Sequence, residues 1–408
     1  MMGTERLSLT RRGLLALGGA ATVAALSGIR VTYAAGPSDR PLILVLLRGG
    51  LDGQALLPLH GDPAYRSVRS NLALPGPDAP GGLYDLDGVI GLHPNAGALI
   101  PYWEAGQLAV LPSVASPYRG TSHAEAMSVL DSGSAGIETV QDSGWLNRAI
   151  AAVGAAGGGG SIGHPIGSLP HLLRGEAPPL AIGGTEPPSA DPRFLAKVQA
   201  LYTVDAALGE ALQAGRKAHD TLAGALGEDH AAANAAGRHA QTFPLLARTI
   251  GRAMASGTGP SCAVIEIGGW DTHIQQGTDR GPLSRRIAGL AEGLAQLADS
   301  LGTAFAHSMI VTIGEFGRSV PPNRAGGTEH GLGGAALVLG GGVSGGKRLG
   351  PLPKLDVEAL ERDGALSPTV DSRALFKAVL AKHWMVSASA LNKRVFPDSG
   401  TIAPLPGL

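Results

Sequence analysis

The sequence predicts an α/β fold with a largely parallel central sheet and helices on both faces. Two patterns carry this expectation. Short, continuously apolar runs recur along the chain, as strands buried on both faces require. Between two of them lies a long amphipathic helix, giving the strand–helix–strand order of parallel neighbours. Glycine-flanked acids and imidazoles also stand just beyond several of the runs, where open α/β sheets keep their ligand sites.

The first run is Leu42–Leu47, six apolar residues without interruption. Leu108–Leu111 is the second, and Pro112 is expected to end it. Ala263–Ile267, Met309–Ile313 and Ala335–Leu339 complete the set. Leu283, Ile287, Leu290, Leu294, Leu297 and Leu301 are spaced by alternating fours and threes, one apolar stripe for packing on a sheet. A C-terminal amphipathic helix is expected from Ser372 to Val386, with Leu375, Phe376, Val379, Leu380 and His383 on related faces. The middle differs. Gly154 to Gly160 is a Gly/Ala run and Pro187-Pro188 a break. Residues of about 190–257 are rich in Ala and Leu without a strand signal, so two or three helices are expected there as an insertion or cap.

Residues 1–35 read as an export leader, and 40–408 as the folded domain. Thr10-Arg11-Arg12-Gly13-Leu14-Leu15 is a twin-arginine pattern, a weakly hydrophobic stretch follows to Leu26, and Ala34-Ala35 offers a cleavage point. That stretch is a poor bilayer span, which implies no transmembrane anchor after processing. The expectation is passage through the twin-arginine export machinery to a periplasmic or extracellular location. The single cysteine, Cys262, sits in an apolar run and reads as a core residue. With 408 residues, 44% hydrophobic, and a net charge of −1, the chain lacks the basic excess of a nucleic-acid binder.

Four motifs carry the chemistry. Arg48-Gly49-Gly50-Leu51-Asp52-Gly53 brings Asp52 to the end of the first strand, either as a turn aspartate or as a metal ligand. In Gly268-Gly269-Trp270-Asp271-Thr272-His273, Asp271 and His273 are one residue apart, so an extended backbone points both to one side. Trp270 could wall the site. Gly314-Glu315-Phe316-Gly317-Arg318 offers Glu315 as a ligand and Arg318 as a fork for an anion, or the two as an ion pair. Glu329-His330-Gly331 adds a second imidazole. Asp and His together favour a divalent ion, with zinc, calcium, magnesium and manganese all open. Further, Thr121-Ser122-His123 precedes a helix-like run, Ala124 to Leu130. Ser122 there is either a helix cap or a nucleophile, with His123 as base or ligand.

These motifs, with the twin-arginine leader, resemble the DUF1501 proteins, exported bacterial proteins of unassigned function grouped with the alkaline phosphatase and sulfatase superfamily. The resemblance implies an alkaline-phosphatase-like fold with metals and a hydroxyl nucleophile at the strands' C-terminal ends. By order along the chain it implies metal roles for Asp52, Asp271, His273, Glu315 and His330, and attack by Ser122. Phe316 stands where the superfamily has a histidine, the Asp271–His273 spacing is shorter than usual, and Ser122 is one residue off register with Gly133. Thr121, Ser122 and His123 therefore all stay in play at the reaction centre. The expected activity is hydrolysis of an anionic small-molecule phosphate or sulfate ester, with Arg318, and Arg48 as a second candidate, steadying the anion. One alternative is a binding or assembly protein that keeps the fold without turnover. Another is a hydrolase acting through metal-bound water, with no covalent step.

Overall fold

The computed structural model of the protein describes residues 29–34, 36–154, 169–177, 243–255 and 260–408. Among these, ten strands occur in chain order: β1 (Ile29–Ala34), β2 (Leu42–Leu47), β3 (Tyr84–Asp85), β4 (Gly91–Leu92), β5 (Leu108–Ala115), β6 (Cys262–Ile267), β7 (Met309–Ile313), β8 (Gly334–Leu339), β9 (Lys347–Arg348) and β10 (Val370–Asp371). Six helices matter for the site and its support: α1 (Gly53–Leu56), α2 (His123–Ser132), α3 (Trp145–Ala152), α4 (Phe243–Ala255), α5 (Pro282–Leu301) and α6 (Ser372–His383).

The central sheet has the order β1-β6-β2-β7-β8-β5-β10, with β9 also on β5. β2 lies parallel to both β6 and β7, so the segment containing α5 carries the chain from one side of β2 to the other. β8 is antiparallel to β7 and β5, and β1 is antiparallel to β6 at the edge. The sheet is thus mostly parallel, as the apolar runs imply. Hydrophobic burial explains why the runs are unbroken. Ile43, Val45 and Leu47 enter the core on one face, while Leu42, Leu44 and Leu46 enter the core on the other. α4 and α5 cover the first face, α3 and α6 the second. Each fully buried Leu or Ile contributes about 1.5–3 kcal/mol relative to exposure.

Two boundaries differ from expectation. Pro112 does not end its strand: β5 runs on to Ala115, and the ladder to β8 shifts register between Leu111 and Val114. A proline cannot donate to the ladder, so the pairing slips around it instead of stopping. The C-terminal helix stops at His383, short of Val386, because Met385 takes a left-handed backbone (φ 56°).

The expected insertion at 190–257 lies largely outside the described residues. Within those bounds α4 is described, and it packs on α5 through Phe243, Ala247 and Ile250. The Gly/Ala run is described only to Gly154. Of the expected leader, residues 1–28 and Ala35 also lie outside, whereas Ile29–Ala34 forms β1, paired residue by residue with β6. No helix among the described residues is long and apolar enough to cross a membrane.

Because β2, β5, β6 and β7 run in one direction, their C-terminal ends share one edge of the sheet. The antiparallel β8 starts at that same edge. All four sequence motifs, and His123, leave the sheet there.

A candidate metal centre at the strand ends

The site begins with two glycines after β2. Gly49 has φ +116°, and a Cβ placed there would stand 2.6 Å from the Asp271 amide nitrogen. Gly50 has φ +72°, and its Cβ would meet the Phe316 ring at 2.8 Å. Only glycine allows both the turn and the close approach of the β6 and β7 loops. Beneath them Arg48 is 4% exposed. Its Nε donates to Glu266 Oε1 at 2.9 Å, and its Nη2 to the two Asp131 oxygens at 3.1 and 2.8 Å. Burial works against the Arg48 charge, but Asp131 and Glu266 outweigh it and raise its pKa. This cluster of Arg48, Asp131 and Glu266 ties α2 to the ends of β2 and β6.

The helix so tethered presents His123 at its first turn. Ser122 is its N-cap, accepting from the Glu125 amide at 3.5 Å. His123 Nδ1 lies 2.8 Å from Glu315 Oε1, which also accepts from the Gly49 amide at 2.7 Å. Glu315 is 1% exposed, and its Oε2 has no hydrogen-bond partner. The ring of His123 lies against Phe316 and His330, with centroids 4.8 and 4.5 Å apart.

A short ribbon brings in His330. Arg318 and His330 bridge as antiparallel partners, and the Gly331 amide donates to Gly317 O at 2.8 Å. Asp271 stands at the middle. Its Oδ1 lies 2.9 Å from His273 Nε2, 3.2 Å from His330 Nε2 and 2.5 Å from Arg318 Nη1. His273 and His330 face each other, Nε2 to Nε2, at 3.0 Å. His123 Nε2 is 3.5 Å from Asp271 Oδ2, long for a hydrogen bond, and has no other partner. Burial would raise the Asp271 carboxyl, but His123, His330 and Arg318 together hold it well below the usual carboxylate range. The carboxylates of Asp271 and Glu315 raise His123 to about 9, against the effect of burial.

The outward nitrogens decide the chemistry of this cluster. His123 Nδ1 meets the Glu315 carboxylate, His273 Nδ1 the Glu329 carboxylate at 3.0 Å, and His330 Nδ1 the Thr121 carbonyl at 2.8 Å. An ionised carboxylate or a carbonyl can only accept, so the Glu315, Glu329 and Thr121 oxygens favour a proton on each Nδ1, while Asp271 competes for it at Nε2. In neutral rings of the Nδ1–H tautomer each Nε2 turns a lone pair toward Asp271. Donor atoms of His123, Asp271 and His330 lie within 4.8 Å of one another. Tetrahedral zinc ligands stand about 3.3 Å apart; the His123, Asp271 and His330 donors are the set that lies mutually close, with His273 Nε2 beside Asp271 and His330. The donor set, the inward lone pairs and the unpartnered His123 Nε2 fit a divalent ion.

A family model described as "Protein of unknown function (DUF1501)" matches residues 186–395, or 210 of the 408 residues. The chain belongs to this family. The match takes in the Asp271–His273, Glu315–Arg318 and Glu329–His330 motifs of this DUF1501 protein, while Arg48–Gly53 and Ser122–His123 lie before it. No curated protein and no solved structure matches the DUF1501 chain.

The DUF1501 structure gathers Asp271, His273, His330 and His123 into one cluster. Other expected residues stand elsewhere or act differently. Asp52 is 1% exposed with both oxygens engaged: Oδ1 caps α1 through the Gln54 and Ala55 amides, and Oδ2 accepts from Arg69 and from Gln276. Glu315 lies behind His123 instead of among the inward atoms. Ser122 is a cap. Arg318 spends its Nη1 on Asp271 and its Nη2 and Nε on Thr328, with a side chain 0% exposed, so it offers no free fork to an anion. Arg48 is held by Glu266 and Asp131 through Nε and Nη2, and its remaining nitrogen, Nη1, is buried without a hydrogen-bond partner. Trp270 is wholly buried in the core under the sheet edge and does not wall the cluster.

Several partners had no signal in the sequence reading. Gln276 accepts from Thr272 and Thr328 at 3.0 Å each while donating to Asp52, linking Asp52 to the Thr328–Arg318–Asp271 chain. Asn323 donates to His273 O and to Glu329 Oε1 at 2.8 and 2.7 Å. The Thr121 carbonyl is a backbone group that any residue would supply.

Proposed function

We propose that this protein is a metal-dependent hydrolase of phosphate or sulfate esters that works without a covalent serine intermediate. The observation carrying the reading is the arrangement of three imidazoles whose Nδ1–H groups are anchored outward and whose Nε2 atoms converge on Asp271. His123, His273, His330 and Asp271 would hold the ion. With the three rings neutral, the Asp271, Glu315 and Glu329 carboxylates against the Arg318 guanidinium leave two net negative charges, which supports a dication. A divalent ion there would supply Lewis acidity for an ester oxygen and make water more acidic.

The remaining work belongs to the chain itself. Arg318 locks the orientation of Asp271, and the outward acceptors fix each ring. Asp271 and His273 have side chains 42% and 35% exposed, which leaves a solvent-facing side for a substrate. The anion would meet the ion directly, since Arg318 is fully paired and Arg48 is buried. Ser122, engaged as a cap, is not required for attack. The parallel sheet with acids and imidazoles at its C-terminal edge supports the likeness to alkaline phosphatases, and the Arg11-Arg12 motif supports twin-arginine export of a folded protein.

One observation favours the second reading, an exported binding or assembly protein: Arg318 is fully paired and Arg48 is buried, so neither guanidinium of these motifs is open to an anion. Metal analysis of the purified protein, with assays on aryl phosphates and aryl sulfates, separates the two. Bound metal at one equivalent, with turnover lost in His330→Ala, supports the hydrolase. A metal-free, inert protein supports the rival.

A further inference from the structure

We infer that Glu315 is a positioning residue for the metal centre: it fixes the His123 tautomer and aims Nε2 inward, without itself ligating the ion. The inference rests on the metal-centre reading above. Three observations carry it. First, the Glu315 oxygen nearest the site, Oε1, is used twice, by the Gly49 amide at 2.7 Å and by His123 Nδ1 at 2.8 Å. Second, the carboxylate is 1% exposed and its other oxygen, Oε2, is buried without a partner. Such a group is costly to bury unless a positive charge lies nearby. Among the described residues its hydrogen-bonding side-chain partner is the His123 imidazole, and the Arg48 guanidinium adds a favourable charge. Third, His123 Nε2 is itself buried without a hydrogen bond and faces Asp271 Oδ2 at 3.5 Å. A ring held by one nitrogen to a buried carboxylate, with the other nitrogen bare and turned to a second carboxylate, is a ligand oriented by its partner.

An imidazole free in water prefers the proton on Nε2, the wrong nitrogen for this task. Glu315 reverses that preference because an ionised carboxylate accepts only from Nδ1–H. It also links two loops, since the Gly49 amide that shares Oε1 comes from the turn after β2. The ring, the β7 loop and the β2 loop are thereby set together.

The test uses the full-length protein with Glu315→Gln and Glu315→Ala. Zinc affinity is measured by chelator competition, and the His123 ring by long-range nitrogen NMR on metal-free protein at alkaline pH. The expected loss of zinc affinity is about 10- to 100-fold in Glu315→Ala, and smaller in Glu315→Gln, whose amide oxygen still accepts. The wild-type ring is expected as the Nδ1–H form, with Glu315→Ala shifting it toward Nε2–H. Circular dichroism and unfolding curves identify a variant that fails to fold, and Glu315→Gln, nearly isosteric, then carries the comparison. Wild-type zinc affinity in both folded variants, or an Nε2–H ring in the wild type, overturns the inference. If the wild type binds no zinc, the metal reading fails while the NMR arm still reports on the positioning role.

Discussion

His273 and His330 approach each other Nε2 to Nε2 at 3.0 Å, and both lie against the same oxygen of Asp271. Two neutral rings with Nδ1–H donated outward would place lone pairs against each other and against a carboxylate. That is repulsive until a proton or a metal ion enters. The cluster therefore has a built-in demand for positive charge, and its behaviour should follow from which cation meets that demand.

Protons are one answer, and the metal-free protein should show it in its pH dependence. His123 is raised from 6.5 to about 9 in the folded chain. A group raised on folding stabilises fully below its unfolded value, and the contribution disappears as pH rises through the folded value. Urea unfolding of metal-free protein should therefore show stability declining between about pH 6.5 and 9, with a shallower decline in His123→Gln. Metal should behave oppositely. With one competing proton, apparent affinity rises about tenfold per pH unit over the same window. A metal affinity independent of pH there contradicts the inward-facing ring.

Ser122→Ala separates a cap from a nucleophile. Loss of an N-cap costs about 0.5–2 kcal/mol, and the 3.5 Å bond to Glu125 places this one toward the lower end. Chemical unfolding should detect the loss, while metal content and ester turnover stay within about twofold. A collapse of turnover by several orders of magnitude, with metal retained, would restore the nucleophile.

Asp52→Asn should be a stability variant and not a metal variant. Asp52 and Arg69 have side chains 1% exposed, and removing the carboxylate strands a buried guanidinium. Such losses cost about 3–5 kcal/mol. Zinc stoichiometry in the folded fraction should stay at the wild-type value, whereas Asp271→Asn should weaken zinc binding at least about 100-fold with a smaller effect on stability. Equal metal loss in both variants would return Asp52 to the ligand set.

Gly49→Ala tests the backbone support. The substitution combines φ +116° with a Cβ 2.6 Å from the Asp271 amide nitrogen. The backbone strain alone costs about 1–3 kcal/mol, and relief would displace the loop carrying Asp271. Lower unfolding stability together with weaker zinc binding is the expected pair of results. An unchanged zinc affinity would show that this approach is not needed to seat Asp271.

Much of the frame was readable before folding was considered. The run Leu42–Leu47 implied burial on both sides, and its alternate residues do enter two separate cores. The stripe from Leu283 to Leu301 is buried along its length. Asp271 and His273 were placed on one side by their spacing and do meet. The roles of the other acids were less visible. Asp52-Gly53 and Gly314-Glu315 look alike as glycine-flanked carboxylates after a strand, yet one is paired with Arg69 and Gln276 and the other with His123. Nothing near either residue in sequence names those partners. Arg318 looked available because its own side-chain partners, Asp271 and Thr328, come from separate loops.

The sequence by itself determined the strands, the long helix, the edge at which polar groups gather, and the family. These depend on periodicity and short motifs, which neighbouring residues carry among themselves. Tertiary structure alone decided which groups face inward. His123 and Glu315 are 192 residues apart, and Arg48 and Asp131 are 83 apart. A hydrogen bond at such separation exists only once the sheet has closed and chosen its loops. The same closure fixed each imidazole by the acceptor behind it, and so decided which nitrogen would be left to meet a cation.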